Sequence, residues 1–247
     1  MKKAGVTIFL LTFVLFVQAS ETLLLLAEDG FAEFLKQDFH RLALRLSRKF
    51  ECKLTSVPES GVQPVLRIST VKESGIYKSV LFAVRGNLFF VNAENPAESL
   101  TSGELQQIFS GTFRKWNRTN VPLKQICYYG SGKIVPSSLE KESVPWVRFP
   151  GPDLALRMVA EDMTALGIIP LVNADISVDG TRCLSIDGVT ATPESVFSGK
   201  YPGAKLYYLS IRNDAPEEIQ KLYKKLLSKQ TKIKLLNAGI LPAVKGD

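Results

Sequence analysis

The residues best placed for chemistry are Gly130-Ser131-Gly132-Lys133, which follow an expected strand at 123–129. A Gly-Ser-Gly turn after a strand can aim several backbone N–H groups at one point and hold an anion there. Lys133 would add a compact positive charge. The same four residues also suit a plain turn. They are not a Walker loop, because the first glycine of GxxxxGK[ST] is absent and Ile134 stands at its hydroxyl position. A second candidate is Glu28-Asp29-Gly30-Phe31, between an apolar run (22–27) and a helical pattern that begins at Phe31. A strand–loop–helix unit turns the free N–H groups of the helix toward the loop. Gly30 and Phe31 would carry those groups, while Glu28 and Asp29 suit the positive end of the helix as caps.

Other chemistries find little support. The single histidine, His40, lies off the apolar face of its helix. No nucleophile and base stand at a recognisable spacing, so the chain does not read as an enzyme. Cys52, Cys127 and Cys183 are too widely spaced for a metal site. They allow one disulfide and a thiol, or three free thiols. No cofactor is expected. The net charge of +7 is compatible with an anionic ligand, nucleic acid or membrane surface. Its lysines are densest at 221–234, which reads as the solvated face of a helix. No zinc-finger spacing or RNA-binding aromatic motif points to nucleic acid.

The elements that would position these loops alternate between strand and helix. Residues 22–27 form a continuous apolar run, as in a strand buried on both faces. Phe31, Phe34, Leu35, Phe39, Leu42, Ala43, Leu46 and Phe50 then keep helical spacing. Strands are expected at 53–57, 65–69, 77–84 and 87–91, the last two parted by Arg85-Gly86. Residues 100–116, LTSGELQQIFSGTFRKW, form a complete helix unit. Thr101 and Glu104 make a capping box, and Gly111 sits at the usual left-handed end. Further strands are expected at 123–129, 168–171, 183–186 and 205–211. Helices are expected at 153–166, ending at Gly167, after Pro193, after Asp214 and just before Gly239. The pattern is that of an α/β fold.

Residues 1–19 read as a signal peptide: Lys2 and Lys3, an apolar core from Ala4 to Val17, then small residues before a cleavage point between Ala19 and Ser20. No later run is apolar enough to span a membrane, so the mature protein is expected to be periplasmic or secreted, with no membrane insertion.

Four stretches together resemble the phosphate-binding proteins of ABC transporters: LTSGELQQIFSGTFRKW, CYYGSGK, LSIDGVTATPESVFSGKYP and LLSKQTKIKLLNAGILPAV. That resemblance implies two α/β lobes, each a mixed sheet flanked by helices, joined by two hinge crossings around a ligand cleft. Lobe one would be residues 20–92 plus 188–247, and lobe two residues 93–187, with crossings at 92–96 and 185–188. It implies a monomer that binds phosphate or a related anion and delivers it to an ABC transporter permease. The implied ligand contacts are Ser131, Gly132, Lys133, Gly30 and Phe31. The sequence departs from the family at the site. Lys133 replaces a threonine, Cys127 stands at the arginine position four residues before Ser131, and Glu28-Asp29 replaces a glycine- and hydroxyl-rich loop. These departures leave open an alternative, a scaffold that has lost phosphate and serves as an envelope sensor or protein-interaction module.

Overall fold

A computed structural model describes residues 21–28, 30–47, 49–57, 61, 63–116, 121–130 and 144–243. The expected signal peptide and its cleavage point lie outside them. The run TLLLLA lies in β1 (Glu21–Ala27), where Leu23 to Ala27 are at most 2% exposed. It pairs in parallel with β2 (Phe50–Thr55) and β3 (Leu66–Ser69). Helix α1 (Phe31–Leu46) buries Phe31, Leu35, Leu42 and Leu46.

β4 (Tyr77–Asn92) is one strand of 16 residues, not the two expected on either side of Arg85-Gly86. Gly86 does not turn the chain. A Cβ there would lie 2.2 Å from the Gly203 carbonyl oxygen and 2.8 Å from the Ala204 Cα, so glycine marks a close approach of two backbones. The first part of β4 pairs antiparallel with β11 (Ala204–Arg212), from Tyr77↔Arg212 to Gly86↔Ala204. The second part pairs antiparallel with β8 (Ala165–Pro170), from Asn87↔Pro170 to Val91↔Leu166. Beyond β8 come β6 (Gln125–Tyr128) and β7 (Trp146–Arg148), all three parallel. The strand order is β2-β1-β3-β11-β4-β8-β6-β7, with β9 (Thr181–Cys183) and β12 (Leu241–Pro242) also on β4.

The apolar residues separate into two main cores along this shared strand. One joins β1, α1, β3, Phe82 and Ala83 of β4, Tyr207 and Leu209 of β11, and α5 (Glu217–Leu226). The other joins Leu88 to Val91 of β4, α2 (Ser102–Ser110), Trp116, β6, β8, Leu184, Ile186 and Tyr201. The result is a two-lobed α/β fold. Helix α3 (Pro152–Glu161) ends earlier than expected, because the Asp162 carboxylate accepts from the Thr164 N–H (2.8 Å) and hydroxyl (2.6 Å). Gly167 therefore lies within β8, where a Cβ would press on Val159, Leu156 and Phe90 at 3.1–3.3 Å. No described helix is long and apolar enough to cross a membrane.

Residues 92–96 are tied into the second core. The Asn92 side-chain amide donates to the Ala160 carbonyl (2.6 Å), that of Asn95 to Met163 (2.7 Å), and Arg182 donates to the Asn95 and Ala97 carbonyls (2.7 and 2.8 Å). The remaining elements are β5 (Ser99–Leu100), β10 (Ser185–Ile186), α4 (Pro193–Phe197) and α6 (Lys229–Asn237).

Candidate functional site

The strand registers decide where a ligand can sit. β1, β2 and β3 run toward the β4 crossing at Gly86, since Ser69 pairs with Tyr208 and β11 reaches Gly86 through Ala204. β6, β7 and β8 run toward the same crossing from the other side, because Pro170 at the end of β8 pairs with Asn87. The two parallel sets therefore point their carboxyl ends at one gap. Open α/β sheets bind ligands outside the carboxyl ends of their strands, where loops leave side chains and amides unengaged by the sheet.

A cavity of about 790 Å³ occupies this crossing. Arg85, Gly86 and Asn87 line it from β4, and Lys205 and Tyr207 from β11. Arg148 lines it from the end of β7, Tyr129 and Gly130 from the end of β6, and Asn173 from the turn after β8. Arg85 and Lys205 are direct cross-strand partners, so they share one face of the sheet. Lys205 also sets its ammonium 5.9 Å from the centre of the Tyr207 ring. The described residues lining the cavity include three cations and no carboxylate. Phe109, half-buried, forms part of the wall and packs on Trp146 at 5.8 Å between ring centres.

The loop after β1 is arranged differently from a plain anion nest. Gly30 has φ of 85°, the left-handed conformation that starts α1. The Phe31 N–H donates to the Glu28 carbonyl at 3.0 Å, and its ring lies in the core, 4.9 Å from Tyr207 and 5.9 Å from Phe82. The Glu28 carboxylate turns inward. It accepts the Thr70 N–H at 3.2 Å and faces the Arg67 guanidinium at 3.6 Å. Arg67 is further paired with Glu73. An acid of the chain thus occupies the donors at the ends of β1 and β3. Ser131, Gly132 and Lys133 lie outside the described residues, while Tyr129 and Gly130, which lead into them, line the cavity.

Cys127 points elsewhere. It is fully buried with Ala155, Val159 and Ala165, and burial, with Asp162 nearby, pushes its thiol up to about 11. All three cysteines are free. Among the described residues no three His, Cys, Asp or Glu side chains come together as a metal site would need. Arg148 and Lys205 are the site candidates that sequence patterning missed, while Arg85, like Arg67, was open to a place at the cleft with no pattern to put it there. Arg85 stood in what looked like a turn, and β7, which carries Arg148, had no strand signal of its own.

Two of the quoted motifs meet in space. Ser99-Leu100 pairs with Ser185-Ile186, and the Asp187 carboxylate accepts the Ser102 N–H at 2.9 Å and is also bonded by the Ser102 hydroxyl. Thr101 accepts from the Glu104 N–H at 3.1 Å, and Glu104 accepts from the Thr101 N–H at 2.6 Å, completing the capping box. Asp187 thus adds a second anchor to the start of α2, from a residue at φ of 48°.

No protein-family model matches the chain, and no curated protein sequence does. Solved structures do. A possible phosphate-binding protein from Planctomyces limnophilus DSM 3776 superposes with a TM-score of 0.64, at 14% identity over 92% of this chain and 94% of the other. PstS from Borrelia burgdorferi superposes with a TM-score of 0.56, at 14% identity over 90% and 99%. The fold is PstS-like. At that identity the likeness concerns the backbone: a PstS-like fold sets the two lobes and their facing strand ends, and the side chains at the crossing are this chain's own.

Proposed function

We propose that this chain is an exported solute-binding protein. It holds an oxyanion group, phosphate or a related one, between its lobes and presents it, as a monomer, to an ABC-type membrane permease. The observation that carries this reading is the convergence at one cavity: two sets of strand ends, with Arg85, Arg148 and Lys205 and no described acid in the lining. The PstS-like backbone supports the class. The lobes in this reading are residues 21–86 with 204–243, and residues 87–203. The crossings are then at Gly86-Asn87 and Gly203-Ala204, in place of 92–96 and 185–188. In this reading the site binds an anion through its cations, and among the described residues lining it no nucleophile and base are paired.

Calorimetric titration at low salt tests the proposal. An oxyanion from a panel of phosphate, sulfate, phosphonates and carboxylates gives saturable heat, and Arg148→Ala weakens it by about tenfold, the low end for a charge-assisted hydrogen bond at an exposed side chain. Absence of heat from every member of that panel at millimolar concentration contradicts the proposal and favours the protein-interaction alternative.

A further inference from the structure

We infer that the solute is an organic anion, an acidic group carried on an apolar body, and not a free tetrahedral oxyanion. The inference rests on the solute-binding reading and deepens it. Three observations lead to it.

The first is size. A cavity of about 790 Å³ lies in the range of sites for organic molecules, about 300–1,000 Å³. A single oxyanion of a few atoms would leave most of it to water.

The second is the division of the lining. Arg85 and Lys205 stand side by side on β4 and β11, and Arg148 comes from β7. Beside these cations the lining carries apolar side chains, Phe109, Tyr129, Val172 and Leu236, together with the amides of Asn87, Asn173 and Asn237. Phe109 and Tyr129 are half-buried, so each keeps part of a ring in contact with solvent. An apolar wall adds affinity only to a ligand that has apolar surface to remove from water. A flat or aliphatic body against Phe109 and Tyr129 places its acidic group at the cations.

The third is the fate of the alternative small-anion position. At the ends of β1 and β3 the Thr70 N–H and the Arg67 guanidinium are already engaged by Glu28, and Arg67 by Glu73 as well. A free oxyanion there would have to displace a carboxylate tethered to the chain, which competes at high effective concentration. Among the described residues the first lobe therefore offers a compact anion no ready cradle, and the cavity at the crossing favours a larger molecule.

The test compares phenylphosphonate with inorganic phosphate, and benzoate with acetate, by calorimetry on the native full chain at low ionic strength. Phenylphosphonate binds at least about tenfold more tightly than phosphate, or benzoate than acetate. Tyr129→Ala, checked for an unchanged melting profile, narrows that gap. If phosphate binds as tightly as phenylphosphonate and acetate as tightly as benzoate, the organic body is refuted and the solute-binding reading stands. If none of the four gives heat, this inference falls together with the reading beneath it. The first comparison needs no variant, so a misfolded Tyr129→Ala leaves the test intact.

Discussion

Glu28 shows most sharply what one residue decides. In sequence, an acid after the first strand reads as a helix cap or as an obstacle to an anion. In the fold it is neither a cap nor turned outward, but the partner of Arg67 and of a backbone N–H on Thr70, 42 residues along the chain. Nothing local signals such a pair, because it depends on β1 and β3 lying side by side. Cys127 carries the same lesson. The resemblance set it against an arginine, yet its side chain faces α3 and is sealed among small residues. Asp187 gives a residue-scale prediction. Its hydrogen bonds from the Ser102 side chain and backbone hold its carboxyl below the ordinary aspartate range. A depressed folded pKa adds stability above the unfolded value, near pH 4, and loses it as pH falls through the folded value. Asp187→Asn, which also tolerates the positive φ, should therefore lower the melting temperature at pH 7. Thermal melts from pH 7 to pH 2 should show the gap closing as the pH falls below the unfolded value and through the folded one. A gap that persists at pH 2 would mean that shape, not charge, matters there.

Elements with local signals were readable, and elements defined by their neighbours were not. Helix α2 is the clearest case of the first kind: its capping box, apolar spacing and left-handed Gly111 all lie within eleven residues and reappear in the fold. The apolar runs of β4 were readable as strand, but its continuity was not, because Arg-Gly is an ordinary turn signal. Only the nearness of Gly203 and Ala204 explains the glycine. β7 is three residues long and takes its register from β6, so its sequence carried no period to detect. Gly167 misled for the same reason, since a glycine that lets α3 approach the sheet looks like one that ends a helix. The crossing supplies the prediction at this scale. Gly86→Ala forces a Cβ onto backbone atoms that cannot rotate away, and should cost about 3 kcal/mol, the upper end for overpacking. Urea unfolding would measure it. A loss below about 0.5 kcal/mol would mean that the two backbones separate easily, and that β4 is a softer joint than its packing implies.

At the scale of the whole molecule, the chain builds two cores on one shared strand and aims two sets of strand ends at the gap between them. The α/β class and the PstS-like architecture were legible, the first from alternating patterns and the second from a few worded stretches. The cationic lining was not, because Arg85, Arg148 and Lys205 are far apart in sequence and meet only when β4, β7 and β11 are assembled. That meeting is the centre of the functional reading, and it can be seen directly. A crystal structure of the protein grown with phenylphosphonate, or with phosphate, should place the phosphorus at the β4 crossing, with oxygens within hydrogen-bonding reach of Arg85 or Lys205 on one side and Arg148 on the other. An anion bound instead beside Arg67 and Thr70, or an empty crossing in crystals saturated with both ligands, would contradict it.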